Sequence, residues 1–102
     1  MCIIILIDEI VEHLPRGRAY LADQLQRAGT SVLLNIAEGA GEYSSNEKAR
    51  FYRMAKRSAT GCAAIFDVCI RLKLANEEQY KRGRELLVHI VAMLTKMTQA
   101  YS

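Results

Sequence analysis

The chain has few of the residues that interrupt regular structure. Among its 102 residues there are one proline, six glycines and no tryptophan. β-Sandwiches and barrels need many turn residues, so this composition argues against both architectures. The sequence is instead rich in Ala, Leu, Arg, Glu and Lys, and most of these are strong helix formers. We therefore expect an all-α protein, and residues 1–102 suffice for a single domain only.

Cysteine is scarce, and long hydrophobic runs are missing. The three cysteines, Cys2, Cys62 and Cys69, form an odd set without a CxxC pair. Two of them fall on apolar helical positions, where a thiol behaves as a small hydrophobic group, so we expect a cytoplasmic protein. The apolar run from Met1 to Ile7 has no basic flank and is too short for a signal peptide or a membrane span. It predicts a buried helix start and no membrane partner.

Turn and capping signals divide the chain into four helices joined by short loops. Pro15 disfavours helix in the residue before it, and Ser44 with Glu47 has the spacing of a capping box. Asn76 is a further N-cap candidate, and the glycines at 39–41 allow a left-handed C-cap. The predicted helices run from the N-terminus to Leu14, from Arg18 or Ala19 to residues 39–41, from Ser45 or Asn46 to about Leu74, and from Asn76 toward Thr98. Short loops favour an antiparallel up-down-up-down four-helix bundle.

Apolar residues of the last three helices repeat at helical spacing. The predicted core residues are Tyr20, Leu21, Leu25, Ala28, Val32, Ile36, Phe51, Ala55, Ala59, Cys62, Phe66, Cys69, Leu72, Tyr80, Leu86, Leu87, Ile90, Val91, Leu94 and Met97. The middle of the second helix is apolar nearly all round at residues 32–34, and that of the third helix at residues 63–65, Val68 and Ile70. Because a four-helix monomer cannot bury every side of a helix, this pattern predicts a subunit interface. The alternative is a helix at the centre of the bundle, contacted on three sides.

A polar stripe runs along the second helix. Spacings of three and four residues place Ser31, Asn35 and Glu38 one above another, with Arg27 a turn earlier. The stripe lies near a face that should be buried, and buried polar groups need hydrogen-bond partners from a neighbouring helix or subunit. We predict a structural polar network made of Arg27, Ser31, Asn35, Glu38 and Ser58.

Positive charge is concentrated in the third helix. The whole chain carries a formal charge of +3, whereas residues 46–74 contain seven basic and two acidic side chains. Four of the basic residues lie on one side of the predicted helix, and we call this set the basic face: Arg50, Arg53, Lys56 and Arg57. Arginine suits bidentate phosphate contacts, so the basic face is the predicted nucleic-acid-binding site. The alternative is an ordinary solvated helix surface.

The sequence carries no recognisable enzymatic constellation. Its two histidines, His13 and His89, do not have the Glu-x-x-His spacing of a di-iron bundle. Glu85 lies four residues before His89, but such a pair is far more often a surface contact than a ligand set. Neither an activated nucleophile nor a glycine-rich phosphate loop is indicated. We expect no enzymatic activity, no metal and no cofactor.

Several segments together resemble a known family. They are Gln-Leu-Gln-Arg-Ala at 24–28, Asn-Ile-Ala-Glu-Gly-Ala-Gly at 35–41, Phe-Tyr-Arg-Met-Ala at 51–55, Ser-Ala-Thr at 58–60 and Cys-Ala-Ala-Ile at 62–65. From Leu14 onward the chain resembles the bacterial four-helix-bundle proteins, also called 23S ribosomal RNA intervening-sequence proteins. The resemblance implies an antiparallel bundle that assembles into a homopentamer without catalytic activity. Relatives serve as accessory proteins of diversity-generating retroelements, where they contact a reverse transcriptase and nucleic acid.

The chain departs from this family pattern at three positions. Gly61 stands where an acidic residue is common, and Lys73 stands where a glycine often ends the third helix. Glu42 occupies a position that is frequently basic. Taken together, the sequence predicts a homo-oligomeric accessory protein that binds RNA, DNA or a nucleic-acid–protein complex through its basic face. The alternative is a scaffolding module whose partners are proteins only.

Overall fold

The computed structural model describes residues 3–101, and these residues form four α-helices. The helices are α1 (Ile3–Glu12), α2 (Ala19–Gly41), α3 (Ser45–Arg71) and α4 (Glu77–Tyr101), with one turn of 3-10 helix (Arg16–Arg18) leading into α2. α3 lies between α2 and α4 and packs along both, while α1 packs against α2 and α4. The predicted antiparallel four-helix bundle is confirmed. The first two residues of the expected N-terminal helix, Met1 and Cys2, lie outside the described residues.

The four helices differ greatly in length. α1 has 10 residues and α3 has 27, which corresponds to roughly 15 Å and 40 Å of helix. The larger core cluster includes Leu6 and Ile7 of α1, packed with Leu25 and Phe66. The smaller cluster centres on Tyr52 and contains no residue of α1. α1 therefore covers only one end of the bundle.

None of the helices within residues 3–101 has the length and apolar character needed to cross a membrane.

Local capping bonds set the starts of α3 and α4. The Ser44 hydroxyl accepts a hydrogen bond of 3.4 Å from the Glu47 N–H. At α4, the Asn76 side-chain oxygen accepts from the Gln79 N–H at 2.7 Å, and the Gln79 side-chain oxygen accepts from the Asn76 N–H at 3.2 Å. These bonds satisfy backbone donors that a helix start would otherwise leave unpaired. Both predicted N-caps are confirmed.

The end of α3 is a Schellman motif built without glycine. The Leu74 N–H donates to the Cys69 carbonyl at 2.8 Å, and the Lys73 N–H donates to the Ile70 carbonyl at 3.1 Å. Lys73 has a φ of 60°, the left-handed conformation that this motif requires. A residue with a Cβ loses about 1–2 kcal/mol in that conformation. Lys73 thus adopts the backbone geometry of the glycine that often stands here in the resembling family.

The glycines at the end of α2 serve packing and not a left-handed cap. No glycine within residues 3–101 has a positive φ, and α2 leads into Glu42, whose φ is −82°. The predicted left-handed C-cap is therefore wrong. A Cβ on Gly39 would come within 2.6 Å of the Tyr52 ring, and Tyr52 is only 3% exposed. Glycine at position 39 instead lets α2 and α3 approach closely.

Two predicted core residues are exposed, and one buried aromatic residue was missed. Tyr20 is 52% exposed and Leu72 is 40% exposed. Tyr20 lies at the start of α2, where its hydroxyl accepts a hydrogen bond of 3.1 Å from Arg18. Leu72 follows the last residue of α3, so the helical phase that predicted its burial no longer applies. Tyr52 is buried because Gly39 leaves room for its ring.

We predict opposite effects for alanine at two helical glycines. Gly39→Ala should lower the free energy of unfolding by about 1–3 kcal/mol, because its methyl group collides with the Tyr52 ring. Gly61→Ala is the matched control: nothing lies within 4 Å of the added Cβ, and the gain in helix propensity should stabilise by about 0.5–1 kcal/mol. Urea unfolding monitored by circular dichroism measures both values. Equal effects of the two substitutions would contradict the close approach at Gly39.

Candidate functional site

A hydroxyl pair joins the middles of α2 and α3. The hydroxyl oxygens of Ser31 and Ser58 lie 2.7 Å apart and are partly buried. The Asn35 amide donates to the Ser31 carbonyl at 2.9 Å and to the Ser31 hydroxyl at 3.1 Å. Three members of the predicted polar network are thus linked by hydrogen bonds, and the bond between Ser31 and Ser58 crosses the interface between the two helices.

The other two members of the predicted network lie on the surface. Arg27 forms an exposed ion pair of 3.1 Å with Asp23, one turn earlier in α2. Glu38 is exposed, and nothing in the described part of the chain hydrogen-bonds or ion-pairs with it. Both side chains border a shallow groove that also includes Ser31, Asn35 and Leu34. In a single chain, the two ends of the stripe, Arg27 and Glu38, therefore face solvent.

One residue of the basic face, Arg50, forms an ion pair with an acidic residue of the same helix. Arg50 contacts Glu47 with a shortest distance of 2.8 Å, and its guanidinium lies 4.5 Å from the centroid of the Phe51 ring. These hydrogen bonds raise the pKa of Arg50 and lower the pKa of Glu47. Glu47 therefore offsets the charge of Arg50, which makes this arginine the weakest candidate of the four for a phosphate contact.

The remaining residues of the basic face have unopposed charge. Arg53 and Arg57 are exposed and stand one turn apart on α3, while Lys56 is half-buried beside them. Within residues 3–101, none of the three has a hydrogen bond or ion pair through its side chain. Two guanidinium groups at this spacing can bind neighbouring anionic groups through charge-assisted hydrogen bonds.

Another cation of α3 is used by the fold. The Lys48 ammonium donates to the carbonyls of Gly39 and Ala40 at 3.1 and 3.2 Å, and it lies 5.6 Å from the centroid of the Tyr101 ring. It thereby neutralises carbonyls at the C-terminal end of α2, where the helix dipole is negative. In the sequence, Lys48 is only one of the seven basic residues between positions 46 and 74. No local signal could reveal its role, because its contacts come from two other helices.

Two long-range contacts also escaped sequence analysis. The Tyr80 hydroxyl donates to the Asp67 carboxylate at 2.6 Å, and this hydrogen bond raises the pKa of Tyr80. Arg82 forms an ion pair of 3.3 Å with Glu9, which links α4 to α1. The partners are 13 and 73 residues apart in the chain, so their spacing carries no periodic signal.

The remaining titratable groups of residues 3–101 include one His–Glu pair on α4 and two buried thiols. Glu85 and His89 lie on one side of α4, as their spacing predicts, and border a depression with Arg82. No three His, Cys, Asp or Glu side chains converge as metal ligands in the part of the chain from 3 to 101. Cys62 and Cys69 are buried as free thiols, and burial raises the pKa of Cys62 to about 11. Burial also raises the pKa of Cys69, so burial favours the protonated thiol at both positions.

Comparison with known families covers almost the whole bundle. The family described as 23S rRNA-intervening sequence protein matches residues 3–96. The chain belongs to this family. Comparison with curated proteins gives no match. The resemblance inferred from the sequence segments is confirmed and extends to α1.

In this member of the family, three of the resembling segments meet at the interface between α2 and α3. The segment 35–41 supplies Asn35 and Gly39 from α2, and the segments 51–55 and 58–60 supply Tyr52 and Ser58 from α3. These residues form the hydroxyl network and the close contact between the two helices. The segments that carry the resemblance therefore build the α2–α3 interface, and the exposed Arg57 lies between two of them.

We predict that the two hydroxyl groups act as a unit in this family member. Ser31→Ala or Ser58→Ala alone should lower the free energy of unfolding by about 1 kcal/mol, because each removes the hydrogen bond between two partly buried hydroxyl groups. The double substitution should cost less than the sum of the single substitutions. A double-mutant cycle by thermal unfolding measures the coupling. Strict additivity would show that the 2.7 Å contact contributes nothing to stability.

Proposed function

We propose that this protein is a non-enzymatic, self-assembling helical bundle that binds the phosphate backbone of RNA or DNA through Arg53 and Arg57, assisted by Lys56. The observation that carries the proposal is the pair of exposed guanidinium groups one turn apart on α3, with no acidic partner in the described chain. Membership in a family named for a ribosomal RNA insertion is consistent with a nucleic-acid partner. The buried free thiols suit a reducing compartment, and we place the protein in the cytoplasm.

Binding of this kind is directed at the backbone. Phe51, the aromatic ring beside the basic face, lies beneath Arg50 and is half-buried, so it offers little free surface for base stacking. Phosphate contacts fix position on a nucleic acid but carry no direct sequence information. We therefore expect weak sequence preference and strong dependence of the affinity on salt.

Self-assembly is supported by apolar side chains on the outside of the single chain. Leu34 is 59% exposed, and Leu33 and Val68 are also exposed. The all-round apolar middles of the second and third helices thus remain partly uncovered in one copy. We propose that further copies cover them, and five is the number that the family resemblance implies. Assembly would repeat Arg53 and Arg57 around the particle.

Light scattering tests the assembly. One chain has a mass of 11.5 kDa, and at micromolar concentration we expect a multiple of this mass, about fivefold for a pentamer. The physical reason is the exposed apolar area, whose removal from water favours association. A mass of 11.5 kDa at that concentration would overturn self-assembly.

Salt titration of nucleic-acid binding tests the basic face. For the parent protein, the logarithm of the binding constant should fall linearly with the logarithm of the salt concentration. Substituting Arg53→Gln together with Arg57→Gln should weaken binding to all RNA and DNA sequences alike. The slope should become shallower by about 2 for each chain that contacts the nucleic acid. Circular dichroism should stay unchanged, because glutamine has a helix propensity close to that of arginine.

A matched variant separates local contacts from overall charge. Arg16→Gln together with Lys81→Gln removes the same charge from exposed positions away from α3 and should leave the slope close to that of the parent. An equal loss in both double variants would show that only net charge matters. A parent protein that binds neither RNA nor DNA at low salt would favour the second candidate function, a protein-only scaffold that uses the exposed apolar surface around Leu34.

A further inference from the structure

One flank of the bundle presents a row of exposed, mostly apolar side chains along α2, two of which also border the shallow groove beside Asn35. Thr30, Leu33, Leu34 and Ala37 are spaced at three and four residues along α2, and all four are exposed. We call this set the α2 ridge. Leu34 is its most prominent member, with 59% of its surface exposed.

A second flank presents an apolar groove. A depression of about 400 Å³ lies between α3 and α4, and we call it the α3–α4 groove. Small side chains on α3, Ala59 and Ala63, give it depth, while Val88 and Val91 of α4 form its apolar wall. Val88 is 60% exposed, so the wall faces solvent in a single chain.

The positions of the two surfaces exclude a contact within one chain. α3 lies between α2 and α4, and its outer face, with Arg53 and Arg57, separates the α2 ridge from the α3–α4 groove. A chain cannot place its own ridge in its own groove. A second copy can do so, and such a contact leaves a free groove on one copy and a free ridge on the other.

The charges next to the two surfaces are complementary. Glu38 follows Leu34 by one turn and has no partner within residues 3–101. The lining of the α3–α4 groove includes Arg84, and no acidic side chain of the described residues lines it. Lys96 stands one turn beyond Ala92 at the other end of the groove.

At the other end of the ridge Arg27 is already paired with Asp23, and Asp67, one turn beyond Ala63, accepts the Tyr80 hydroxyl. Glu38 is therefore the unpaired charge of the ridge, and it would meet a cation at either end of the groove.

We propose that the α2 ridge of one copy docks into the α3–α4 groove of the next, with Glu38 facing Arg84 or Lys96. The inference rests on the proposed self-assembly and names the surfaces that produce it. The contact is heterologous, because different patches of the two copies meet. Arg53 and Arg57 do not line the groove, so docking leaves them outside the contact.

A mixing experiment tests this arrangement. Leu34→Glu removes the ridge and keeps the groove, whereas Val88→Glu removes the groove and keeps the ridge. Each variant alone should fall to the mass of one chain in light scattering, because every head-to-tail contact needs both surfaces. An equimolar mixture should recover a mass of two chains and no more, since one intact pair of surfaces remains.

A control substitution and a cross-link complete the test. Met93→Glu changes an exposed apolar residue of α4 that does not line the groove, and it should keep the parent mass. In a Cys2→Ser background, a mixture of Leu34→Cys and Val88→Cys chains should form disulfide-linked dimers. This test does not use the glutamate variants, so it still applies if one of them fails to fold. Loss of assembly in the Leu34 variant alone, or no recovery and no cross-link on mixing, would overturn the docking while self-assembly stands. A monomeric parent would overturn both.

Discussion

The bundle depends on close helix approach at three glycines, each facing a large side chain of the neighbouring helix. A Cβ on Gly29 would lie 2.5 Å from Ile7 of α1, and one on Gly39 would lie 2.6 Å from Tyr52 of α3. At Gly83 of α4 the distance to the Phe66 ring would be 3.0 Å. Large side chains therefore pack directly over the glycine backbone of the neighbouring helix, with one such contact in each consecutive pair of helices. The cost of glycine in a helix, about 1 kcal/mol, is offset by the apolar surface that these contacts bury.

This packing determines what α3 can present to solvent. The rings of Tyr52 and Phe66 pack against glycines of α2 and α4. Contacts with both neighbouring helices therefore fix which side of α3 is buried. The opposite side, with Arg53 and Arg57, must then point outward. The hydroxyl pair of Ser31 and Ser58 adds a directional contact at the same interface, where a purely apolar seam would tolerate sliding. The position of the exposed cations is thus defined by buried residues of the helix interfaces.

Sequence reasoning succeeded where the deciding contact is local. The N-caps at Ser44 and Asn76 use residues three positions apart. The pairing of Glu47 with Arg50 has the same spacing, but it was not predicted. Sequence reasoning failed where one residue type can serve either of two structural roles. Gly39 has the position of a helix terminator, and only the ring of a residue on another helix shows that it is a packing site. Contacts such as that between Asp67 and Tyr80 depend on the tertiary fold and leave no periodic trace.

The distribution of charge and apolar surface makes binding and assembly interdependent in the proposed function. One copy offers two exposed, unpaired guanidinium groups and a half-buried lysine, because Glu47 offsets Arg50 and the fold uses Lys48. So few phosphate contacts give weak affinity at physiological salt. Copies joined through surfaces that exclude Arg53 and Arg57 would bring several such sets to one nucleic acid, and linked sites gain affinity through effective concentration without any new contact. The exposed apolar residues then matter for binding although none of them contacts a phosphate.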